Sequence, residues 1–392
     1  MVCSVPLKEN RTIVHFMPCC AIHSVGGNTV MHRLDRLREI LRHRGLQNSI
    51  LHGLRRLLAY RNITLFGPDM IRINPMSAIC NHRCSMCWLQ TIPEDTRKNL
   101  IRQDQHDRMN APDYDRIFRN MPAGLREVNV VGGGEPLLHP EIHTILRSIK
   151  RNGFRGSLIT NGTNLTPELA ETLVDIRWDL VRISVSAGDR DTYRLVQGVD
   201  RFDRLIRNIR ILNRFRSANP PPRMHLSVFH VLQRDNISNP APLFGIAEQM
   251  EADSIEFDPL IPLNPDLALS RDELATAIEE LPKTAARSPV PSNLSEIVST
   301  FRKQLEVNDT RTAFIPARRC SVGYDQCFIH ANGDVYPCCF SDEKMGNLKS
   351  TSFREIWHGK QFKAFRRRLM SGKFAYYCIE KQCSLPGVLL NR

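Results

Sequence analysis

The 392-residue sequence predicts an α/β fold: a partial (β/α)6 barrel of parallel strands, with an N-terminal helical extension and a small cysteine-rich C-terminal domain. Three observations predict it. Short strand-like runs alternate with helical patterns between residues 70 and 260. A basic, helically periodic stretch precedes them. Six of the 12 cysteines fall in the last quarter of the chain.

The extension comes first. From Thr29 to about Arg61, Leu34, Leu37, Ile40 and Leu41 recur at helical spacing, then Ile50, Leu51, Leu54, Leu57 and Leu58. Gly45 between the two runs is a helix stop. The strands of the central part are expected at Met70–Asn74, Glu127–Val131, Gly156–Thr160, Asp179–Ser186, Met224–Leu232 and Ser254–Phe257. Helical patterns lie between them at about Asp113–Arg119, Pro140–Lys150, Pro167–Asp175, Phe202–Arg216 and Pro240–Met250. Such alternation implies βαβ units and a parallel sheet, in a partial barrel or in a doubly wound open sheet. Helices follow at Ser270–Glu280 and Leu294–Glu306, with Pro282, Pro289 and Pro291 marking a break between them. The expected domains are 1–69, 70–317 and 318–392.

Composition bounds the function. With 42% hydrophobic and 24% charged residues, the chain is globular in type. No apolar run approaches the ~18–20 residues of a membrane span, and the first residues lack the pattern of a signal peptide. A cytoplasmic location is therefore expected, with no membrane partner. The net charge of +13 is concentrated in residues 1–70 and 318–392, and the middle is balanced. Arg366, Arg367 and Arg368 are read as a solvated helix face.

In a reducing compartment, 12 cysteines need an explanation other than disulfides. Cys3, Cys19 and Cys20 have no partner spacing. None occurs between Cys87 and Cys320, so the other two groups suggest two metal sites on two domains. Cys80, Cys84 and Cys87 are spaced C-x3-C-x2-C directly after the first strand. Three thiolates so close can wrap one corner of a cubane and leave one iron open. Zinc shared with His82 is the rival reading, although His82 sits inside the loop.

Here the chain resembles the radical S-adenosylmethionine (SAM) superfamily, whose signature is a C-x3-C-x-aromatic-C loop after the first barrel strand. The resemblance implies that Cys80, Cys84 and Cys87 hold a [4Fe–4S] cluster with SAM at the open iron. Met86 takes the place of the usual aromatic residue beside the adenine. Gly132, Gly133, Gly134 and Glu135, followed by Pro136, match the family's Gly-Gly-Glu-Pro loop after the second strand, which binds the SAM amino group. Glycines suit a close backbone approach to a ligand, and Glu135 adds an acceptor. Asn161 at the end of the third strand, and Ser184 and Ser186 at the end of the fourth, are candidates for SAM ribose or carboxylate contacts. The resemblance covers about residues 70–260.

The tail resembles the SPASM/twitch extensions of these enzymes. Cys320, twelve residues, Gly333, four residues and Cys338 fit their opening pattern, and Asn332-Gly333-Asp334 is a hairpin signal placing both cysteines on one small sheet. The resemblance implies a second, auxiliary [4Fe–4S] cluster on Cys320, Cys338, Cys378 and Cys383, with Cys327 and Cys339 left over. A zinc ribbon is the rival.

The family's chemistry implies reductive cleavage of SAM to a 5′-deoxyadenosyl radical that abstracts a substrate hydrogen. An auxiliary cluster with no open iron suits electron transfer. An oxidoreductase-type reaction on a small sugar-like or natural-product substrate is expected, with an electron donor such as flavodoxin or ferredoxin. Maturation of a ribosomally made peptide is the alternative. A metal-stabilised RNA-binding protein is the alternative of another class; it predicts salt-sensitive RNA binding without SAM cleavage, but no RNA-binding module is visible. The sequence names no catalytic base.

Overall fold

The computed structural model describes residues 66–219, 223–260, 265–306, 320 and 322–371. The expected helical extension falls outside these residues, as do Cys3, Cys19, Cys20, Cys378 and Cys383. Six strands form in order: β1 (Met70–Ile73), β2 (Glu127–Val130), β3 (Arg155–Thr160), β4 (Leu180–Ser184), β5 (His225–Leu232) and β6 (Ser254–Pro259). Each pairs in parallel with its sequence neighbours. A sheet order that never reverses has no switch point, so right-handed crossovers put the helices on one face. This is the barrel-type arrangement rather than the doubly wound one.

The helices are α1 (Glu94–His106), α2 (Ala111–Arg119), α3 (Ile142–Arg151), α4 (Pro167–Asp175), α5 (Arg190–Gln197), α6 (Phe202–Ser217), α7 (Arg234–Ile237) and α8 (Ala241–Gln249). After β6 come α9 (Arg271–Ala285), α10 (Leu294–Glu306), α11 (Phe353–Trp357) and α12 (Lys360–Met370). Local chemistry sets several starts. The Thr166 hydroxyl accepts from Leu169 N–H ahead of Pro167, and Asn110 forms a capping box with Asp113. Pro282, expected as a break, lies inside α9; the chain turns after Ala285 instead. α11 and α12 are parted at His358-Gly359.

Alternation along the strands divides the sheet by chemistry. Ile71, Ile73, Val128, Val130, Leu158, Val181, Ile183, Val228, Ile255 and Phe257 are buried in the main core, each contributing roughly 1.5–3 kcal/mol. The opposite face is polar. Arg182 donates from Nε to both carboxylate oxygens of Glu256 (2.8 and 3.0 Å) and from Nη1 to Ser157 (2.8 Å), and Ser227 donates to Glu256 (2.9 Å).

The tail joins this sheet rather than making its own. β7 (Gln326–Ile329) pairs in parallel with β1, and β8 (Asp334–Tyr336) and β9 (Gly346–Asn347) continue antiparallel beyond it. The hairpin signal at Asn332-Gly333-Asp334 holds, with Gly333 at φ +86°. The sheet to which it belongs is the nine-stranded one. The reading of Arg366 as solvated also needs correction. Arg366 is buried, its guanidinium lies 4.4 Å from the Trp357 ring centroid, and it donates to the Gly323 and Trp357 carbonyls (2.6 and 2.8 Å). Burial holds it down at about 10. A guanidinium stacks and chelates carbonyls in a way that sequence periodicity does not reveal.

Candidate functional site

The site is assembled at the C-terminal ends of the strands, where parallel α/β sheets place their chemistry. The chain leaving β1 carries Cys80, Cys84 and Cys87, all half-buried thiols. This cysteine loop is held from three sides.

On one side is the glycine loop after β2. Gly133 N–H donates to Asn74 Oδ1 (2.9 Å), Gly134 N–H to the Met76 carbonyl (2.8 Å) and Glu135 N–H to the Ile79 carbonyl (2.9 Å). A Cβ on Gly133 would come within 2.2 Å of the Ser77 carbonyl oxygen, and one on Gly134 within 2.1 Å of that of Ile79. What these glycines approach is therefore the backbone leading to Cys80, a closeness only glycine permits.

On a second side are β3 and the turn after it. Asn161 Nδ2 donates to Asn81 Oδ1 (2.8 Å), and Asn81 Nδ2 donates to Thr163 Oγ1 (2.9 Å). Glu135 is buried and accepts from Thr160 Oγ1 (2.6 Å), Asn161 N–H (2.9 Å) and Leu137 N–H (3.0 Å). Burial raises its carboxyl against these three donors.

On the third side is the C-terminal end of α5. Arg83 N–H donates to the Gln197 carbonyl (3.1 Å) and Ser85 N–H to that of Val196 (2.9 Å). The Cys84 thiol donates to Gln197 Oε1 (2.7 Å), while Gln197 Nε2 donates to the Val185 carbonyl at the exit of β4. The His82 ring meets Tyr193 edge-on and its Nε2 is 3.3 Å from the Tyr193 hydroxyl. Burial, then Arg201, pushes it down to about 4.

Of the other candidates, Ser184 is half-buried at the end of β4, and Met86 is half-buried in the cysteine loop. Ser186, at φ +45°, uses its hydroxyl to accept from Val231 N–H (2.9 Å). Asn161 and Ser186 thus have structural partners of their own. Sequence reasoning missed Gln197, Asp104, Gln233 and Asp258. Gln233 donates to Ser85 Oγ (3.1 Å), and its buried Oε1 has no partner among the described residues; the same holds for Asn74 Nδ2. Asp258, next to last in β6, lies on the polar face, and burial followed by Glu256 raises it to about 7.

The donor set fits an iron–sulfur cluster. The three thiols come from one short loop and are close enough that, after burial, Cys87 and Cys80 further raise Cys84. Burial and then Glu135 push Cys80 up to about 12, and burial raises Cys87 to about 11. A bound cluster would deprotonate these thiols, as coordination to a cation does. In the tail, Cys320 and Cys338 are half-buried against the main core, whereas Cys327 is buried in β7 opposite Ile71. Cys339 is buried too.

Comparison with known proteins agrees with this geometry. Residues 74–229 match the radical SAM superfamily model, and residues 320–384 match that of the SPASM iron–sulfur cluster-binding domain. The AdoMet-dependent heme synthase of Methanosarcina barkeri is 24% identical over 251 residues, 60% of this chain and 69% of the relative. The tungsten-containing aldehyde ferredoxin oxidoreductase cofactor-modifying protein of Pyrococcus furiosus is 22% identical over 314 residues, 73% of this chain and 80% of the relative. Among solved structures, Streptococcus suis SuiB bound to the precursor peptide SuiA superposes with a TM-score of 0.58 at 15% identity, covering 86% of this chain and 79% of that one. The cofactors are a [4Fe–4S] cluster with SAM and an auxiliary iron–sulfur cluster. The chain belongs to the radical SAM superfamily and carries a SPASM domain in its C-terminal part.

Proposed function

We propose that this enzyme initiates radical chemistry on a small, hydroxyl- or amine-bearing substrate and oxidises it, with the auxiliary cluster accepting an electron. The observation that carries the substrate class is the polar face of the sheet. Asp258 brings a carboxyl to this face near the C-terminal end of β6, above Ser157, Arg182, Ser227 and Glu256, which hold one another, so a substrate there meets polar groups where an apolar one would need apolar ones.

When bound, the reduced cluster supplies the electron that cleaves SAM to methionine and the radical that abstracts a hydrogen atom. Cys80, Cys84 and Cys87 hold that cluster in this reading. The Val196 and Gln197 carbonyls hold the loop from the α5 side by accepting from Ser85 and Arg83 N–H, and Gly134 and Glu135 hold it from the β2 side, so the reacting groups are positioned before substrate arrives. Met86, Asn161, Ser184 and Ser186 are the further candidates for the SAM pocket. Cys320 and Cys338, with Cys378 and Cys383, would hold the auxiliary cluster, and a flavodoxin or ferredoxin would supply electrons. Domain limits at 1–69, 70–317 and 318–392 belong to the same proposal.

Peptide maturation is the second reading, favoured by the precursor peptide bound in the SuiB structure. A metabolite extract of the source organism separates the two readings. Substrate-dependent 5′-deoxyadenosine formation that survives protease treatment of the extract supports the small molecule. Formation abolished by protease supports the peptide.

A further inference from the structure

The backbone immediately before Cys80 is gripped from both sides. Its carbonyl groups at Met76 and Ile79 accept from the glycine loop. Its N–H groups face a single side chain. Asp104, near the end of α1, is fully buried, and its carboxylate accepts from Ser77 N–H (2.9 Å), Ala78 N–H (2.7 Å) and Ile79 N–H (2.9 Å). Bonds to an ionised acceptor are roughly twice as strong as neutral ones.

The chain between these partners closes on itself. Ala78, Trp88, Leu89 and Leu100 form a small buried cluster separate from the main core, with Cys87, Ile92 and Ile101 packed against it. The cysteine loop therefore has its own core, and Asp104 closes its neck. The helix carrying Asp104 is itself tied down. Just beyond α1, Lys349 Nζ meets Asp107 Oδ1 (2.6 Å) and Met109 N–H donates to the Ala331 carbonyl (2.6 Å).

We propose that Asp104 is a positioning residue that preforms the Cys80–Cys87 loop before any cluster is present. The proposal rests on reading those three thiols as the cluster ligands. Closing a loop costs chain entropy, and a neck closed by Asp104 removes that cost from cluster assembly. An asparagine offers one acceptor oxygen and turns an N–H group toward the remaining donors.

The test compares the full chain with Asp104→Asn and with a control, Asp179→Asn. Asp179 accepts from Lys150 Nζ and Gly156 N–H at the other end of the strands. In cluster-free protein, amide hydrogen exchange at Ser77, Ala78 and Ile79 should quicken about tenfold or more in Asp104→Asn and stay unchanged in Asp179→Asn. Chelator should then strip iron from the reconstituted Asp104→Asn chain about tenfold faster than from wild type. Unchanged exchange in Asp104→Asn, or equal quickening in both variants, overturns the proposal. Leu100→Ala keeps the carboxylate and guards against misfolding of Asp104→Asn: residues 77–79 should stay slow while Trp88–Thr91 quicken, and fast exchange at 77–79 would show that packing, not Asp104, closes the neck. A wild-type chain that takes up no iron refutes the ligand reading, while the exchange result still judges the clasp.

Discussion

The Cys84 thiol donates to Gln197 Oε1 at 2.7 Å, and the same amide donates to the Val185 carbonyl. One side chain thus joins the cysteine loop, the end of α5 and the exit of β4. Gln197→Ala leaves the buried carbonyl without this partner and should cost about 1–3 kcal/mol in urea unfolding of the cluster-free chain. Gln197→Glu should cost more at pH 8, because it buries a carboxylate beside a carbonyl oxygen. A smaller loss for Glu than for Ala would refute this account of the contact.

Gly198 follows at φ +66°, and a Cβ there would lie 2.3 Å from the Arg83 carbonyl oxygen. Gly198→Ala combines left-handed strain, worth about 1–2 kcal/mol, with a backbone clash against the cysteine loop. The expected result is a lower melting temperature together with reduced iron uptake. Full iron uptake at wild-type stability would show that the loop is free to shift.

The polar face of the sheet makes a pH prediction. Asp258 is raised to about 7 by burial and then by Glu256, whereas in the unfolded chain an aspartate titrates near 3.9. Between those values the folded protein keeps a proton that the unfolded chain has lost. Its stabilising contribution is therefore complete below about pH 4 and falls as pH rises to about 7. Asp258→Asn should flatten the decline in unfolding free energy between pH 5 and 7 by up to roughly 1.4 kcal/mol per pH unit. An identical slope in the variant would contradict the assignment.

The tail cysteines divide by burial. Cys327 sits in β7 against β1, while Cys320 and Cys338 are only half-buried. Replacing Cys320 and Cys338 together by alanine should lower reconstituted iron from about eight to about four per chain, whereas Cys327→Ser should leave it unchanged. Iron loss in Cys327→Ser alone would exchange these roles.

Much of this was legible in the sequence because it depends on local pattern. The alternation of strands and helices, the helix beginning at Pro167, the Asn332-Gly333 turn and the spacing of Cys80, Cys84 and Cys87 all act over a few residues. The missed features act across distance. Asp104 stands 24–27 residues from the cysteine and N–H groups it serves, and Gln197 meets Cys84 across 113 positions. The attachment of β7 to β1 joins residues over 250 positions apart, which no periodicity encodes. Arg366 looked solvated because its helix is basic; its burial depends on Trp357 and on the Gly323 carbonyl.

The central claim is that Cys80, Cys84 and Cys87 hold the cluster that cleaves SAM. Its most direct test is 5′-deoxyadenosine formation by the anaerobically reconstituted, chemically reduced full chain, with Cys84→Ala measured in parallel. The account predicts product from the wild type and none from Cys84→Ala. Equal product from both, or none from a wild type carrying its full iron, would contradict it.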